Sequence, residues 1–414
     1  MKQGELIVGL DVGTTKVCAV VAEARENGVD IIGIGTAPTR GLKKGVIVNI
    51  EGTVESIKKA VEEAGIMTGI DIKAVYVGIS EGQISSLTSN GVIAVKEKEI
   101  AQRDIERVID AARAMPLPFY KEVLHVIPAG FAIDGQNGIN DPRGMSGVRL
   151  EVKVRIITTA VTSVQNLLKC CQRAGLEVVE VVFAPLASAE AVLTEDEKDI
   201  GVGIVDIGGG TTDIALFSNG SLCHTSVLSI GGNNFTNDAA IGLRTQTPEA
   251  ERIKKSHGCA MMSMIDPHEE IEITYAGDKP GRKILRQHLI EILQPRAEEL
   301  FGLIREDIRK GGYHDMLASG IVLTGGVTPM SGIDVMAENI LELPVRIGVP
   351  ENIGGMKDIV CSPEYITGVG LVLYGAREVW SRKGFNGGSF LNSAMNKFYS
   401  FPSKIKTWTN KIMS

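Results

Sequence analysis

The sequence predicts an α/β protein of two related halves, with a small α+β module inserted into the first. Three observations carry this. Two stretches share one design: an apolar strand, Asp-x-Gly, a Gly/Thr turn and a second apolar strand. They are LIVGLDVGTTKVCAV at 6–20 and GVGIVDIGGGTTDIALF at 201–217, about half a chain apart. A third glycine turn, Gly325-Gly326, follows an apolar strand in IVLTGGVTPMSGI at 321–333. Over 81–154 the texture changes to alternating, strand-like runs around one charged helix.

The first half opens with the hairpin around Asp11 and Gly13. A strand over 31–36 follows, then GLKKGVIVNIEG at 41–52. Thr53 is placed to cap the next helix. There Val54, Ile57, Val61 and Ala64 recur at helical spacing, and Gly65 ends the run. Residues 74–79 read as a short buried strand. In the module, 85–94 alternates and 100–115 reads as a helix stopped by the prolines at 116 and 118. Residues 123–127 and 130–133 read as two strands, 134–147 as a polar loop and 150–159 as another strand. A helix at 162–175, a strand at 178–182 and the small-residue helix APLASAEAVL (184–193) complete the half, before an acidic turn at 194–199.

The second half starts with the strand–turn–strand at 201–217. Helices are expected at 235–243 and 248–258, a strand at 271–275, and a long helix over 282–310 interrupted at Pro295. The third loop leads into a helix starting near Ser331, and 345–349 is a late strand. A helix over 363–379 carries Gly368, Gly370 and Gly375, which suggests close packing against another element.

Composition narrows the function. The chain has 414 residues, enough for two or more domains, and a net charge of −7, which does not suggest a nucleic-acid surface. Its six cysteines show no CxxC or Cys/His spacing and are expected to be reduced and structural. The N-terminus is not a signal peptide, no apolar run of about 18 residues occurs, and a cytoplasmic protein is expected.

The glycine turns let successive backbone N–H groups point into one concavity, as phosphate binding needs. An Asp at each strand end, Asp11 and Asp206, is placed to hold hydrated Mg²⁺. Lys16 reads either as a phosphate ligand or as a strand-edge lysine. Glu251 and Lys254 lie three apart, on one helix face, and read as ligands or as a solvated face. After Glu378 the chain has no acid and six Lys or Arg. Ile405, Trp408 and Ile412 share a helical face flanked by Lys404, Lys406 and Lys411. That pattern fits a helix lying on anionic lipid, with docking on a protein surface as the alternative.

The three loops in this order resemble the actin-like ATPase superfamily. With the insert, the GLKKGVIVNIE stretch and the basic tail, the chain resembles the bacterial cell-division FtsA family. The resemblance implies an actin-like (ribonuclease H-like) two-domain fold with duplicated βαβ halves and an inserted subdomain 1C. It divides the chain into subdomain 1A (1–83, 163–195 and 363–380), 1C (84–162), 2A (196–235 and 305–362) and 2B (236–304). A flexible linker (381–401) and an amphipathic helix (402–414) follow.

The resemblance further implies an ATP- and Mg²⁺-binding protein that polymerises on the inner face of the plasma membrane at the division site. It anchors FtsZ through that protein's C-terminal tail and recruits later division proteins through subdomain 1C. Asp11, Gly13, Thr14, Thr15 and Lys16 match the first phosphate loop. Asp206, Gly208, Gly209, Gly210, Thr211 and Thr212 match the second. Gly325, Gly326 and Met330 match the adenosine side, with Glu251 and Lys254 toward ribose and adenine. Arg296 and Asn234 are candidate FtsZ contacts, and the alternative for Arg296 is a surface pair with Glu299. Heat-shock chaperones and MreB carry Glu-Pro at the head of the connecting helix, where the Glu positions water. Here Ala184 precedes Pro185, so tight binding and slow hydrolysis are expected. The alternatives are another actin-like assembly ATPase, for shape or pili, or a soluble kinase of the same superfamily. The tail and the insert together favour the division protein.

Overall fold

The computed structural model describes residues 5–25, 28–274 and 281–382. The first half is β1 (Leu6–Val12), β2 (Lys16–Arg25), β3 (Gly28–Pro38), a tight hairpin β4 (Leu42–Lys43) and β5 (Val46–Ile47), α1 (Ile50–Thr68) and β6 (Ala74–Ile79). The insert is β7 (Ser85–Ala94), α2 (Gln102–Arg113), β8 (Lys121–Ile133), β9 (Gln136–Ile139) and β10 (Arg149–Ala160). The half then closes with α3 (Val161–Arg173), β11 (Glu177–Phe183), α4 (Ala184–Val192) and α5 (Glu195–Ile200).

The second half runs β12 (Val202–Ile207), β13 (Thr212–Ser218), β14 (Ser221–Leu228), α6 (Gly232–Leu243), α7 (Thr247–His257), β15 (Glu270–Ile273), β16 (Arg282–Leu285) and α8 (Arg286–Lys310). It ends with β17 (Ile321–Thr324), α9 (Ile333–Leu341), β18 (Val345–Ile347), β19 (Ile353–Gly355), α10 (Lys357–Val360) and α11 (Ile366–Arg382).

The duplication is explicit in the sheets. The first is ordered β11-β6-β1-β2-β3, with β19 added at its edge, and the second β18-β17-β12-β13-β14. In each, an antiparallel hairpin forms the centre and the next strand pairs in parallel with its first strand: β6 on β1, and β17 on β12. One apolar core runs through the first half and on to one face of the second sheet (Val202, Ile204, Ala215, Phe217, Val322), a second lies within the second half, and the insert has a third. The insert is fastened at its root by Glu81, a fully buried side chain. Its carboxylate accepts from the hydroxyls of Thr159 (2.6 Å) and Ser163 (2.5 Å) and from the Ala160 N–H (3.3 Å).

Several local expectations need correction. Asn49, not Thr53, caps α1: its Oδ1 accepts the Gly52 N–H at 3.1 Å, and Thr53 lies inside the helix. Gly69, at φ 71°, ends it rather than Gly65, because the left-handed cap needs a residue without Cβ. Asn49→Ala should therefore lower stability by about 1 kcal/mol, read as a lower urea midpoint with unchanged slope.

The two strands expected around Pro128 are one strand, β8, whose pairing with β10 shifts register beside that proline. The loop over 134–147 contains β9. The acidic turn is helix α5, capped by Thr194 and Glu197. The long helix begins at Arg286, after a strand, and runs through Pro295. A buried stripe from Leu289 to Ile308 continues in register across the proline, so packing outweighs the one lost hydrogen bond. All six cysteines are free.

Candidate functional site

The two Asp-x-Gly hairpins are superposable in their bonding. In the first, Asp11 sits opposite Cys18 and the Gly13 N–H donates to the Lys16 carbonyl at 3.0 Å. In the second, Asp206 sits opposite Asp213 and the Gly208 N–H donates to the Thr211 carbonyl at 2.9 Å. The loops face each other closely. A Cβ on Gly209 would meet the Thr15 side chain at 2.4 Å, and one on Gly210 would meet Thr14 at 2.8 Å. Only glycine permits that approach.

Between them lies a cleft lined by Asp11, Gly13, Thr14, Thr15 and Lys16 from the first loop and by Asp206, Gly208, Gly209 and Thr211 from the second. Glu251 and Lys254 of α7 and Gly325 and Gly326 of the third loop complete that lining. Gly210, Thr212 and Met330 lie off it. Gly210 backs onto Thr14 and Lys44, and the Thr212 hydroxyl is buried and donates to the Ile230 carbonyl at 2.8 Å. Met330 packs against the second half's core.

Sequence reading missed five contributors. Asp213, in strand β13, faces the cleft where Cys18 stands in the first hairpin. Gly78, near the end of β6, and Ser80, just after it, are the counterpart of the third loop, because β6 and β17 occupy equivalent places in the two sheets. The internal repeat was the signal that pointed there. Residues Glu364 and Thr367 arrive from the far end of the chain.

Three carboxyls, from Asp11, Asp206 and Asp213, line the cleft. Burial, reinforced by the charge of Asp206, pushes the Asp11 carboxyl up to about 7, against the pull of Lys16. Burial and Asp206 likewise push Asp213 up to about 8, although the Ser80 hydroxyl donates to it at 2.5 Å. Asp206 is also raised by burial, opposed by hydroxyls of Thr367 (3.1 Å) and Ser188 (3.2 Å) and by Thr324. None of the three aspartates has an ion-pair partner within 4.0 Å among the described residues. The donors are all oxygen, which suits a hard cation. No cluster among the described residues closes around an ion by itself. That fits Mg²⁺, which keeps several waters and takes further oxygens from phosphate.

The cations are engaged with carboxylates. The Lys254 ammonium contacts Glu251 (2.6 Å), Thr236 (2.9 Å) and the Gly232 carbonyl (3.1 Å). Glu251 also accepts from Thr236. Lys16 is held by Glu364. Ala184 lines the cleft at the head of α4. A methyl group there neither orients nor deprotonates water.

Away from the cleft, Asn234 accepts the Gly231 N–H at 3.1 Å and caps α6. Arg296 bridges Asp238 (2.6 Å) and Glu299. Lys404, Ile405, Trp408, Lys411 and Ile412 lie outside the described residues, as does the linker from 383 onward. No helix among the described residues is long and apolar enough to cross a membrane.

Comparison with known proteins agrees with this architecture. The family described as "Cell division protein FtsA" matches residues 203–370, and "SHS2 domain inserted in FTSA" matches 81–158. The chain is 49% identical to the cell division protein FtsA of Pseudomonas aeruginosa, over 91% of each chain. It is 42% identical to that of Escherichia coli over 90% of each. Against that of Bacillus subtilis it is 41% identical, covering 91% of this chain and 85% of the relative.

Among solved structures, the PilM-PilN type IV pilus biogenesis complex matches with a TM-score of 0.64 at 17% identity, over 89% of this chain and 98% of that one. MreB5 of Spiroplasma citri, bound to ADP, matches with a TM-score of 0.55 at 16% identity, over 92% and 97%. The structural matches establish an actin-like fold, and the sequence matches run through both halves and the insert. The chain belongs to the FtsA family of cell division proteins.

Proposed function

We propose that the chain binds ATP with Mg²⁺ in this cleft and forms polymers on the inner face of the plasma membrane at the division site. The observation that carries the reading is the pair of equivalent glycine loops closing on the half-buried Asp11 and the buried Asp206 and Asp213, none with an ion-pair partner among the described residues. Backbone N–H groups from both loops serve the phosphates. Asp11 and Asp206 would hold the Mg²⁺, which would supply charge neutralisation for the phosphates. Glu251 and Lys254 orient the ribose and base. Ala184 leaves water unactivated, so hydrolysis is slow and the nucleotide acts mainly as a conformational ligand.

The tail beyond 402 anchors the polymer to anionic lipid, with its lysines at the headgroups and Trp408 at the interface. Subdomain 2B receives the acidic-apolar tail of FtsZ, with Arg296 as the principal contact and Asn234, at the 2A–2B boundary, as the second. The peptide there shares Arg296 with Asp238 and Glu299. The insert meets later division proteins.

The test is co-sedimentation with anionic liposomes in MgATP, comparing the full chain with one truncated before Gly384, while phosphate release is followed in the same samples. Binding by the full chain alone, with slow release, is expected. Equal binding by both forms, or none, sinks the anchor, and rapid turnover sinks the slow-hydrolysis reading.

A further inference from the structure

The five residues from Pro363 to Thr367 touch all three glycine loops. Toward the first loop, the Lys16 ammonium donates to the Glu364 carboxylate (3.2 Å) and the Glu364 carbonyl (3.1 Å), and it lies 3.7 Å from the centre of the Tyr365 ring. Toward the second, the Thr367 hydroxyl donates to Asp206 at 3.1 Å. Toward the third, the Pro363 carbonyl accepts the Gly325 N–H at 3.1 Å.

This segment runs from a single 3-10 turn into the start of α11, which packs on the first sheet and against α4. Gly370 of that helix lies so close to α4 that a Cβ would come within 1.9 Å of the Ala187 carbonyl oxygen. The adjacent Ser188 hydroxyl, 3.1 Å from that of Thr367, also donates to Asp206 at 3.2 Å.

From this arrangement we infer that Glu364 is a positioning residue for Lys16 and a latch: it competes with nucleotide phosphate for the ammonium, so phosphate binding releases the turn that starts α11. The inference rests on the cleft being a nucleotide site. Lys16 is only 24% exposed and points at the cleft wall that Glu364 shares. A phosphate entering between the loops offers the ammonium a stronger, more highly charged partner than a carboxylate. Once Lys16 turns to it, the Glu364 carboxylate faces the nucleotide's charge without a counter-ion and is driven outward. The displacement is delivered to the same few residues that grip Asp206 and Gly325. Nucleotide occupancy is thereby converted into a movement of α11 against α4, the helix that touches β12 and β13 of the second half.

The experiment compares the full chain, E364Q, K16Q and the double variant. Affinity for MgATP and MgADP is measured by calorimetry, and amide hydrogen exchange is followed over 363–369. E364Q is expected to bind nucleotide about two- to fivefold more tightly, the range for releasing a partly exposed ion pair. The same substitution should give no gain in the K16Q background. In the unaltered chain nucleotide should change exchange over 363–369, whereas in E364Q that segment should exchange fast with or without it. A merely structural Glu364 would lower stability and affinity together and could not raise affinity. Unchanged or weaker binding by E364Q, or an equal gain in K16Q, overturns the latch alone. Failure of the unaltered chain to bind either nucleotide overturns the reading of the cleft and the latch with it.

Discussion

Without metal, the protein loses thermal stability as pH rises from about 5.5 to 8.5, and Mg²⁺ with nucleotide restores more at the alkaline end than at the acid end. The direction follows from the carboxyls. Burial and Asp206 disfavour the charged forms of Asp11 and Asp213 and push them up to about 7 and about 8, from an ordinary carboxyl value of 3.8. Over that window the folded state binds more protons than the unfolded state, so stability falls as pH rises. The stabilisation is full below the unfolded carboxyl value and is lost through 7 for Asp11 and 8 for Asp213.

A cation reverses this penalty, since it needs the charged form, and its binding therefore releases protons and strengthens with pH. Thermal melts at four pH values, with and without Mg²⁺ and ATP, measure both slopes. Asp213→Asn should flatten the upper part of the metal-free profile. Asp206→Asn should weaken Mg²⁺-dependent nucleotide binding by about 10- to 100-fold or more, as even indirect metal-site changes do. A flat metal-free profile, with equal Mg²⁺ effects at pH 6 and 8, would remove the aspartate cluster from the metal site.

Gly370→Ala destabilises the protein, while Gly302→Ala, in the other long helix, stabilises it. Both are helical glycines, and intrinsic propensity favours alanine at each by about 0.5–1 kcal/mol. Space decides the sign. At Gly302 nothing lies within 4 Å of the added carbon. At Gly370 the carbon would lie 1.9 Å from the Ala187 carbonyl oxygen and 2.3 Å from its carbon. Those atoms are backbone, so no rotamer change relieves the contact, and α4 and α11 must part. Overpacking of this kind costs about 1–3 kcal/mol, and a rigid helix backbone places it at the upper end. For a chain of this size that is a melting-point loss of about 3–4 °C. Ser188 moves with Ala187, so its hydrogen bond to Asp206 lengthens and nucleotide affinity falls with stability. A Gly370→Ala variant that melts with the unaltered chain would show that the helices do not pack as described.

Much of the site was legible because its signals are local. An Asp two residues before a glycine turn, between apolar strands, specifies a hairpin with its carboxylate at the mouth, and the motif occurs twice. Gly368, Gly370 and Gly375 announced close packing before any partner was known. Reading failed where tertiary context outweighed local preference. Pro295 is a helix breaker by propensity, yet the buried stripe of α8 carries the helix through it. Thr53 is a good cap by type, but Asn49 holds the position whose side chain reaches the free N–H. Asp213 was in view as a strand residue, and only the cross-strand register shows that it faces Asp206.

The sequence by itself determined the α/β class, the duplication, the insert and the two Asp–glycine loops, since strand alternation and turn chemistry act over a few residues. The folded chain decided which charges meet. Lys16 and Glu364 are 348 positions apart, and Ser80 and Asp213 are 133 apart. Coulomb and hydrogen-bond terms depend on distance in space and on burial, neither of which is encoded in any short stretch. The raised carboxyls, the engaged lysines and the segment gripping all three loops therefore exist only once the two halves close on each other.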